Sequence, residues 1–154
     1  MDPFEHASIP TLAYLAISNE PTWGGALALI LGALFPDLDA FCREHRSYLH
    51  SLLFALPVFF LAYLPGNPYA LLFSLGWLSH LFLDFFTGVI PPVYPLSRRG
   101  WGISITARGG PSGAGLSIRI IEHYPDPRHE YRIEVGGSVA LAILAITALI
   151  IRLH

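Results

Sequence analysis

The chain has 154 residues, of which 53% are hydrophobic and only 13% are charged. Soluble domains carry about 25% charged residues, so the composition argues against an ordinary soluble domain and favours a protein embedded in a membrane. The net charge of −2 offers no basic surface for nucleic acid, and we expect no such partner. The single Cys42 excludes an internal disulfide bond. Asp2 and Glu5 stand where a secretory signal peptide carries basic residues, so we expect the apolar segments to be retained.

Five apolar segments follow one another along the chain. They are residues 7–18, 23–35, 49–64, 69–90 and 135–151. The segment 69–90 contains only two ionisable side chains, His80 and Asp84, and it is longer than the about 20 residues that a membrane helix needs. The other segments are shorter, and whether 7–18 crosses the membrane is left open. The pattern predicts an all-α integral membrane helix bundle of four or five helices.

Residues 91–134 differ in composition, with six of the nine arginines and many glycines and prolines. Within them, 103–106 and 116–121 alternate between apolar and polar residues as β-strands do, and the glycine-rich 109–113 lies between the two. We therefore predict a small β-hairpin-rich cytoplasmic insertion at 91–134 within a single membrane domain of residues 1–154.

The distribution of arginine predicts which way the chain crosses the membrane. If the four segments after residue 18 all cross, then 36–48 and 91–134 lie on one side and carry eight of the nine arginines. The positive-inside rule makes that side cytoplasmic. If 7–18 crosses as well, His6 lies on the same side.

A polar stretch at residues 36–51 separates the second apolar segment from the third. It holds two carboxylates, Asp37 and Asp39, and two imidazoles, His45 and His50. Carboxylate oxygen and neutral imidazole nitrogen are the usual ligands of zinc, manganese and iron. We expect His45 in the loop, His50 on the helix that follows, and both aspartates pointing the same way in an extended loop. The alternative is a pair of solvated, helix-capping aspartates.

His80 and Asp84 are four residues apart in the long apolar segment, so on a helix they project from one face. An ionisable residue costs about 2.5 to 3.5 kcal/mol in the middle of a membrane helix, which favours a functional role for both. Because both lie toward the cytoplasmic end of their segment, we predict that they meet the polar stretch in one metal site. The alternative is a buried His–Asp hydrogen-bonded pair without a metal. The predicted ligands are His6, Asp37, Asp39, His45, His50, His80 and Asp84.

Two further roles follow from side-chain chemistry. The guanidinium of Arg46 can fork onto phosphate or carboxylate oxygen, so it is a candidate for neutralising an anionic substrate. An ordinary interfacial arginine is the alternative. Asp37 is our candidate for a general base, because an aspartate that is not fully used in metal binding can accept a proton. His6 is isolated in the sequence, and the alternative for it is a surface histidine.

Several of these motifs occur together in a known family. They are His6, Pro36–Asp39, His45–Ser51, Gly76–Thr87 and Tyr94–Arg99. In this order they resemble the YdjM-like family of LexA-regulated, membrane-bound metal-dependent hydrolases, and the likeness covers residues 6–99. The resemblance implies a hydrolase and, more distantly, a likeness to helical zinc-dependent phospholipase C and nuclease enzymes. Ala40 stands where the family often has a further ligand-type residue, so the resemblance does not extend to that ligand.

The predicted function is metal-dependent hydrolysis near the cytoplasmic lipid headgroups, on a phospholipid or another phosphoester. The expected cofactor is one or more divalent metal ions, zinc first and manganese second, because such an ion lowers the pKa of water and polarises the scissile group. The expected partners are membrane lipid and a small-molecule or lipid substrate. Two alternatives stay open: a metal-ion transporter, which needs polar residues along its path across the membrane, and a non-catalytic membrane protein with a structural His/Asp metal site.

Overall fold

The computed structural model describes residues 3–41, 46–110, 113–123 and 138–153. These residues form five α-helices, one 3₁₀ helix and two β-strands. The elements are α1 (Pro3–Ile17), α2 (Trp23–Leu34), the 3₁₀ helix (Phe35–Phe41), α3 (Leu52–Tyr63), α4 (Pro68–Thr87), β1 (Gly100–Gly110), β2 (Gly113–His123) and α5 (Ser138–Leu153). A predominantly helical chain with a small antiparallel hairpin is therefore confirmed.

Helices α2 and α4 pack at backbone contact distance. A Cβ atom at Gly32 would collide with the carbonyl group of Phe73, and one at Gly76 would collide with the carbonyl oxygen of Leu29. Only glycine permits this approach, as small residues do where membrane helices pack closely. The contact brings the last turn of α2 beside the half of α4 that carries His80.

Helix α4 is the only helix in the described ranges that is long and apolar enough to cross a membrane, with 20 residues and a mean hydropathy of 1.4. Helices α2 and α3 have 12 residues each, which is about 18 Å at 1.5 Å per residue, against a hydrocarbon core of about 30 Å. Length therefore supports a membrane crossing for α4, and the bundle of four or five crossing helices stays a prediction.

The outward faces of the shorter helices are apolar. Leu27 and Leu31 of α2, Leu61 of α3, and Ile143 and Ile146 of α5 each expose more than half of their surface. Soluble monomers rarely expose large contiguous apolar patches. These faces therefore suit contact with lipid acyl chains.

Strands β1 and β2 form the predicted hairpin, in which Ile103 lies opposite Ile120. The residues of its turn, 111–112, lie outside the described residues. The base of the hairpin is attached to the segment that follows α4, because Ile90 and Trp101 exchange two backbone hydrogen bonds of 3.0 and 2.8 Å. The hairpin is thus fixed close to the end of the longest helix.

Helix α5 packs against α1 through side chains. Leu15, Ala26 and Leu149 form a small buried cluster at this contact. Arg152 Nη2 donates hydrogen bonds of 3.0 Å to the carbonyl oxygens of Leu15 and Ser18. It thereby satisfies carbonyl groups that the end of a helix leaves without intrahelical partners.

Candidate metal site

Five of the seven predicted ligands meet at one end of the helices. Their ligand atoms form two groups, one of His6, His80 and Asp84 and the other of Asp37, His50 and His80, and within each group all atoms lie within 4.8 Å of one another. They come from the start of α1, the 3₁₀ helix, the turn before α3 and the last turns of α4. The predicted convergence is observed for these five side chains.

The remaining two predicted ligands are Asp39 and His45. His45 lies outside the described residues. Asp39 is buried beside the cluster but belongs to neither group of ligand atoms. Its position is behind His50, as the hydrogen bonds below establish.

The orientation of His80 is set by α2. Its Nδ1 lies 2.7 Å from the carbonyl oxygen of Ala33, and because a carbonyl oxygen only accepts, Nδ1 carries the hydrogen. The neutral ring therefore presents a lone pair on Nε2, the atom that faces the cluster. A backbone or carboxylate partner behind the ring is the usual arrangement at metal-binding histidines.

His50 is oriented in the same way by Asp39. Asp39 Oδ2 lies 3.1 Å from His50 Nδ1, and it accepts hydrogen bonds from the backbone N–H groups of Ser47 at 2.9 Å and Leu49 at 3.2 Å. Because the carboxylate accepts, His50 also carries its hydrogen on Nδ1 and presents a lone pair on Nε2. Asp39 is therefore placed as the residue that orients His50, although we predicted it as a ligand.

The expectation of an extended loop around these aspartates is wrong. Phe35–Phe41 forms a 3₁₀ helix, in which residues two apart do not share a side because each turn has about 3.0 residues. Asp37 therefore faces His80, while Asp39 faces His50.

The expectation that His50 lies on a helix is also wrong. Helix α3 begins at Leu52, with the Ser51 side chain as its N-cap, so His50 belongs to the turn before the helix. This turn is held against α4, because Trp77 Nε1 donates a 2.7 Å hydrogen bond to the carbonyl oxygen of Leu49. The position of His50 thus depends on a buried contact with α4 rather than on helix geometry.

Four atoms of the cluster face one another with lone pairs. His80 Nε2 lies 3.2 Å from His50 Nε2, 3.7 Å from Asp84 Oδ2 and 3.8 Å from Asp37 Oδ1. His50 Nε2 lies 3.6 Å from Asp84 Oδ2. With both imidazoles protonated on Nδ1, all four atoms are acceptors, and they repel one another unless positive charge lies among them. Nitrogen and carboxylate oxygen are donors for zinc and manganese, so these residues fit a divalent cation.

His6 completes the cluster from α1. Its Nε2 lies 3.2 Å from Asp84 Oδ1, and its ring stacks on that of His80 with centroids 3.8 Å apart. His6 is 1% exposed, so the alternative of a surface histidine is wrong. His80 offers only Nε2 to the cluster, and that nitrogen can bind one cation. Because both groups of ligand atoms include His80, a cation bound to it in one group leaves no His80 nitrogen for a second cation in the other group.

Asp37 is the most exposed of the three aspartates, with 21% of its side chain exposed against 3% for Asp39 and Asp84. Burial nevertheless raises the pKa of the Asp37 carboxyl above its ordinary value, while the neighbouring histidines act in the opposite direction. Its Oδ1 faces His80, and its buried Oδ2 has no hydrogen-bond partner among the described residues. One oxygen is thus placed toward the cluster, and the other can accept a proton.

Arg46 contacts the cluster from a left-handed backbone conformation, with φ of 56°. This region costs a residue other than glycine about 1 to 3 kcal/mol and is found most often at functional sites. Its Nη2 lies 3.3 Å from Asp84 Oδ2, and Nη1 donates a 3.1 Å hydrogen bond to the carbonyl oxygen of Val89. A Cβ atom at Gly88 would collide with the guanidinium, so the glycine makes room for it. The side chain is 25% exposed and can reach an anion outside the cluster.

An apolar groove lies along α4, with a volume of about 320 Å³. Leu52, Leu81, Phe85, Ile90 and Trp101 are among its lining residues. Of these residues, Leu81 and Phe85 belong to α4, and each directly follows a residue of the cluster. This volume falls within the range of small-molecule sites, which begins at about 300 Å³.

Three contributions to the site were not predicted. Ala33 supplies a carbonyl oxygen and Trp77 supplies an indole N–H, while Gly88 has no side chain where the Arg46 guanidinium lies. A backbone carbonyl has no residue signature, since every residue carries one. For Trp77 a signal exists, because it lies three and seven residues before His80 and Asp84 and so shares their helix face.

A protein-family model described as YdjM inner membrane protein matches residues 1–153. No curated protein and no solved structure matches the chain. The family match includes the hairpin and α5, so it extends well past the motifs that carry the resemblance in the sequence. Its description gives a location and no reaction.

Proposed function

This chain belongs to the YdjM family of inner membrane proteins, and we propose that it is a metal-dependent hydrolase of a phosphoester at the membrane surface. One observation carries the proposal: four acceptor atoms from His50, His80, Asp37 and Asp84 meet in one cluster. A divalent cation supplies Lewis-acid chemistry at such a place, since it polarises a phosphoryl oxygen and lowers the pKa of water. Zinc suits this mixed set of nitrogen and oxygen donors, and manganese is the second choice.

The residues in and beside the cluster have three roles: metal binding, proton acceptance and substrate binding. His50, His80 and Asp84 hold the cation, and each imidazole is kept in place by the hydrogen bond on its Nδ1. Asp37 accepts the proton of the attacking water, because its Oδ2 makes no hydrogen bond within the described residues. Arg46 binds an oxygen of the anionic substrate through its partly exposed guanidinium.

We place the site at the cytoplasmic headgroup level of a bundle of four or five membrane helices. The spanning length of α4 supports this, because the cluster occupies its last turns rather than its middle. The arginine distribution supports the orientation, since eight of the nine arginines belong to the segments 36–48 and 91–134 on this side.

The apolar groove supports a lipid as the substrate. Leu81 and Phe85 of its lining directly follow His80 and Asp84 on α4, so an acyl chain in the groove would lie against the same turns of the helix that carry the cluster. A soluble phosphoester has no chain to place there and is the alternative substrate within the same proposal.

Metal binding is tested by elemental analysis of the purified protein. We expect one tightly bound divalent metal in the wild type and none in Asp84→Ala, because the variant removes an oxygen that contacts both histidines. Thr87→Ala is the matched control on the same helix, since its exposed hydroxyl donates to the carbonyl oxygen of Leu83 and contacts no residue of the cluster among the described residues. A wild type without stoichiometric metal, or equal metal in all three proteins, refutes the proposal.

Hydrolysis is tested with the protein in phosphatidylcholine vesicles that contain phosphatidic acid or phosphatidylglycerol. We expect phosphate or glycerol phosphate to be released by the wild type and not by Asp37→Asn, which keeps a ligand oxygen but cannot accept a proton. Movement of metal across the vesicle wall without hydrolysis assigns a transporter. Metal that raises thermal stability without hydrolysis or transport assigns a structural site, and either result rejects hydrolysis of a lipid by this site.

A further inference from the structure

The β-hairpin presents an exposed apolar face. Ile118 and Ile120 of β2 are 63% and 75% exposed. In the register Ile120 lies opposite Ile103, and Ile118 lies opposite Ile105. Because residues two apart on a strand, and residues directly opposite each other, share one face, Ile103, Ile118 and Ile120 belong to the same side of the hairpin.

The other face of the hairpin differs in chemistry. Ser117 and Arg119 alternate with the isoleucines of β2 and are exposed. The exception is Ile121, which is half-buried where the hairpin meets the end of α4. Its partner Gly102 lies against the carbonyl oxygen of Gly88, with no room for a Cβ atom. The hairpin is therefore attached through one face and exposes isoleucine on the other.

Trp101 connects the apolar face to the membrane helices. By the register it lies on the same face as Ile103 and Ile120, and it also lines the apolar groove with Leu52 and Phe85. Trp101 thus links the face that carries the exposed isoleucines to the groove, while Glu122, which lies opposite Trp101 and forms an ion pair with Arg99, is the charged residue of this face. Tryptophan is enriched where membrane proteins meet the lipid headgroups.

We propose that the hairpin lies on the membrane surface, with Ile118, Ile120 and Trp101 at the boundary between headgroups and acyl chains and Arg119 toward water. Its occupant is a lipid surface rather than a second protein, because Trp101 of this face also lines the groove of a helix of spanning length. A two-stranded hairpin is marginally stable in water, so contact with lipid also supports the part of the hairpin beyond its attached base.

Charge favours the same partner. Residues 98–123 contain four arginines and one glutamate, so this segment is basic although the whole chain is acidic. Basic residues next to an apolar face strengthen binding to anionic lipids, and the attraction weakens with salt.

The test places an environment-sensitive fluorophore on each face of the hairpin in the full chain. Cys42→Ser removes the native thiol, and single cysteines then replace Ile118 or Ile120 on one face and Ser117 or Arg119 on the other. The labelled proteins are inserted into mixed phosphatidylcholine and phosphatidylglycerol vesicles. Helicity by circular dichroism checks that each variant folds.

Labels at Ile118 and Ile120 should show blue-shifted emission, quenching by lipid-borne nitroxides and protection from iodide. Labels at Ser117 and Arg119 should show the opposite on all three measurements. Equal behaviour of the two faces overturns the proposal. Protection at Ile118 that rises with the ratio of protein to lipid also overturns it, because the apolar face then pairs with a second copy of the chain.

Discussion

Two helix pairs of this protein are joined in different ways. Helices α2 and α4 touch through their backbones at Gly32 and Gly76, whereas α1 and α5 touch through side chains such as Leu15 and Leu149, with Arg152 bonded to the end of α1. A backbone contact between rigid helices allows little adjustment, while a side-chain contact can repack.

The difference corresponds to what each pair supplies to the candidate metal site. The α2–α4 pair provides His80, the Ala33 carbonyl that orients it, and Asp84. The α1–α5 pair provides only His6, which contacts the cluster through Asp84 and the His80 ring. Precise geometry at the site therefore depends on the pair that is joined by glycine.

The largest expected effect is on metal binding, and it differs between the histidines of the two helix pairs. His80→Ala should abolish stoichiometric metal binding, because His80 Nε2 belongs to both groups of ligand atoms. His6→Ala should weaken metal affinity by about 10- to 100-fold, the range expected when an orienting partner is lost. Metal titration of the two purified variants measures the difference. Equal loss in both would mean that the α1 histidine is as central as the α4 histidine.

The packing contrast predicts the next effect. Gly76→Ala adds a Cβ atom against the Leu29 carbonyl and should lower both thermal stability and metal affinity. Ala145→Val overpacks the buried face of α5 and should cost about 1 to 3 kcal/mol in stability while metal affinity stays unchanged. Thermal unfolding with and without a chelator compares them. A Gly76 variant that binds metal as the wild type does would show that the close contact does not position the site.

A smaller effect is expected behind His50. Asp39→Asn keeps an oxygen that can accept hydrogen bonds but removes the charge that faces the imidazole, so metal affinity should fall by about 10- to 100-fold. The backbone bonds to Ser47 and Leu49 tie the same residue to the fold, and thermal unfolding of the metal-free protein reports any loss there. Complete loss of metal would show instead that Asp39 is itself a ligand.

The smallest effect belongs to the α1–α5 pair. Arg152→Gln removes charged hydrogen bonds to Leu15 and Ser18 at the end of α1 and should cost about 1 kcal/mol in unfolding free energy. Metal affinity and hydrolysis should not change. The measurement is thermal unfolding beside metal titration, and a fall in metal affinity would connect this pair to the site more directly than the contacts indicate.

Much of the site is predictable because its residues are chemically conspicuous in their surroundings. His80 and Asp84 are the only ionisable side chains of the segment 69–90, and helical spacing places them on one face. The predicted alternation of crossing segments places Asp37 and His50 near the end of the same segment. The structure brings all four together.

What could not be predicted depends on backbone geometry. The change from α-helix to 3₁₀ helix at Phe35 makes Asp37 and Asp39 face different histidines. No residue pattern predicts this change of helix type. Glycines in α2 indicate a close helix contact but do not name Gly76 as the counterpart. A search for polar side chains does not find the Ala33 carbonyl, because it belongs to the backbone.

The bond between His80 and the Ala33 carbonyl also makes the site sensitive to sliding between helices. A displacement of α2 along α4 by one residue is about 1.5 Å, which is enough to break a 2.7 Å hydrogen bond and turn the imidazole. The backbone contacts at Gly32 and Gly76 oppose such a displacement, so they protect the orientation of an imidazole that they do not touch.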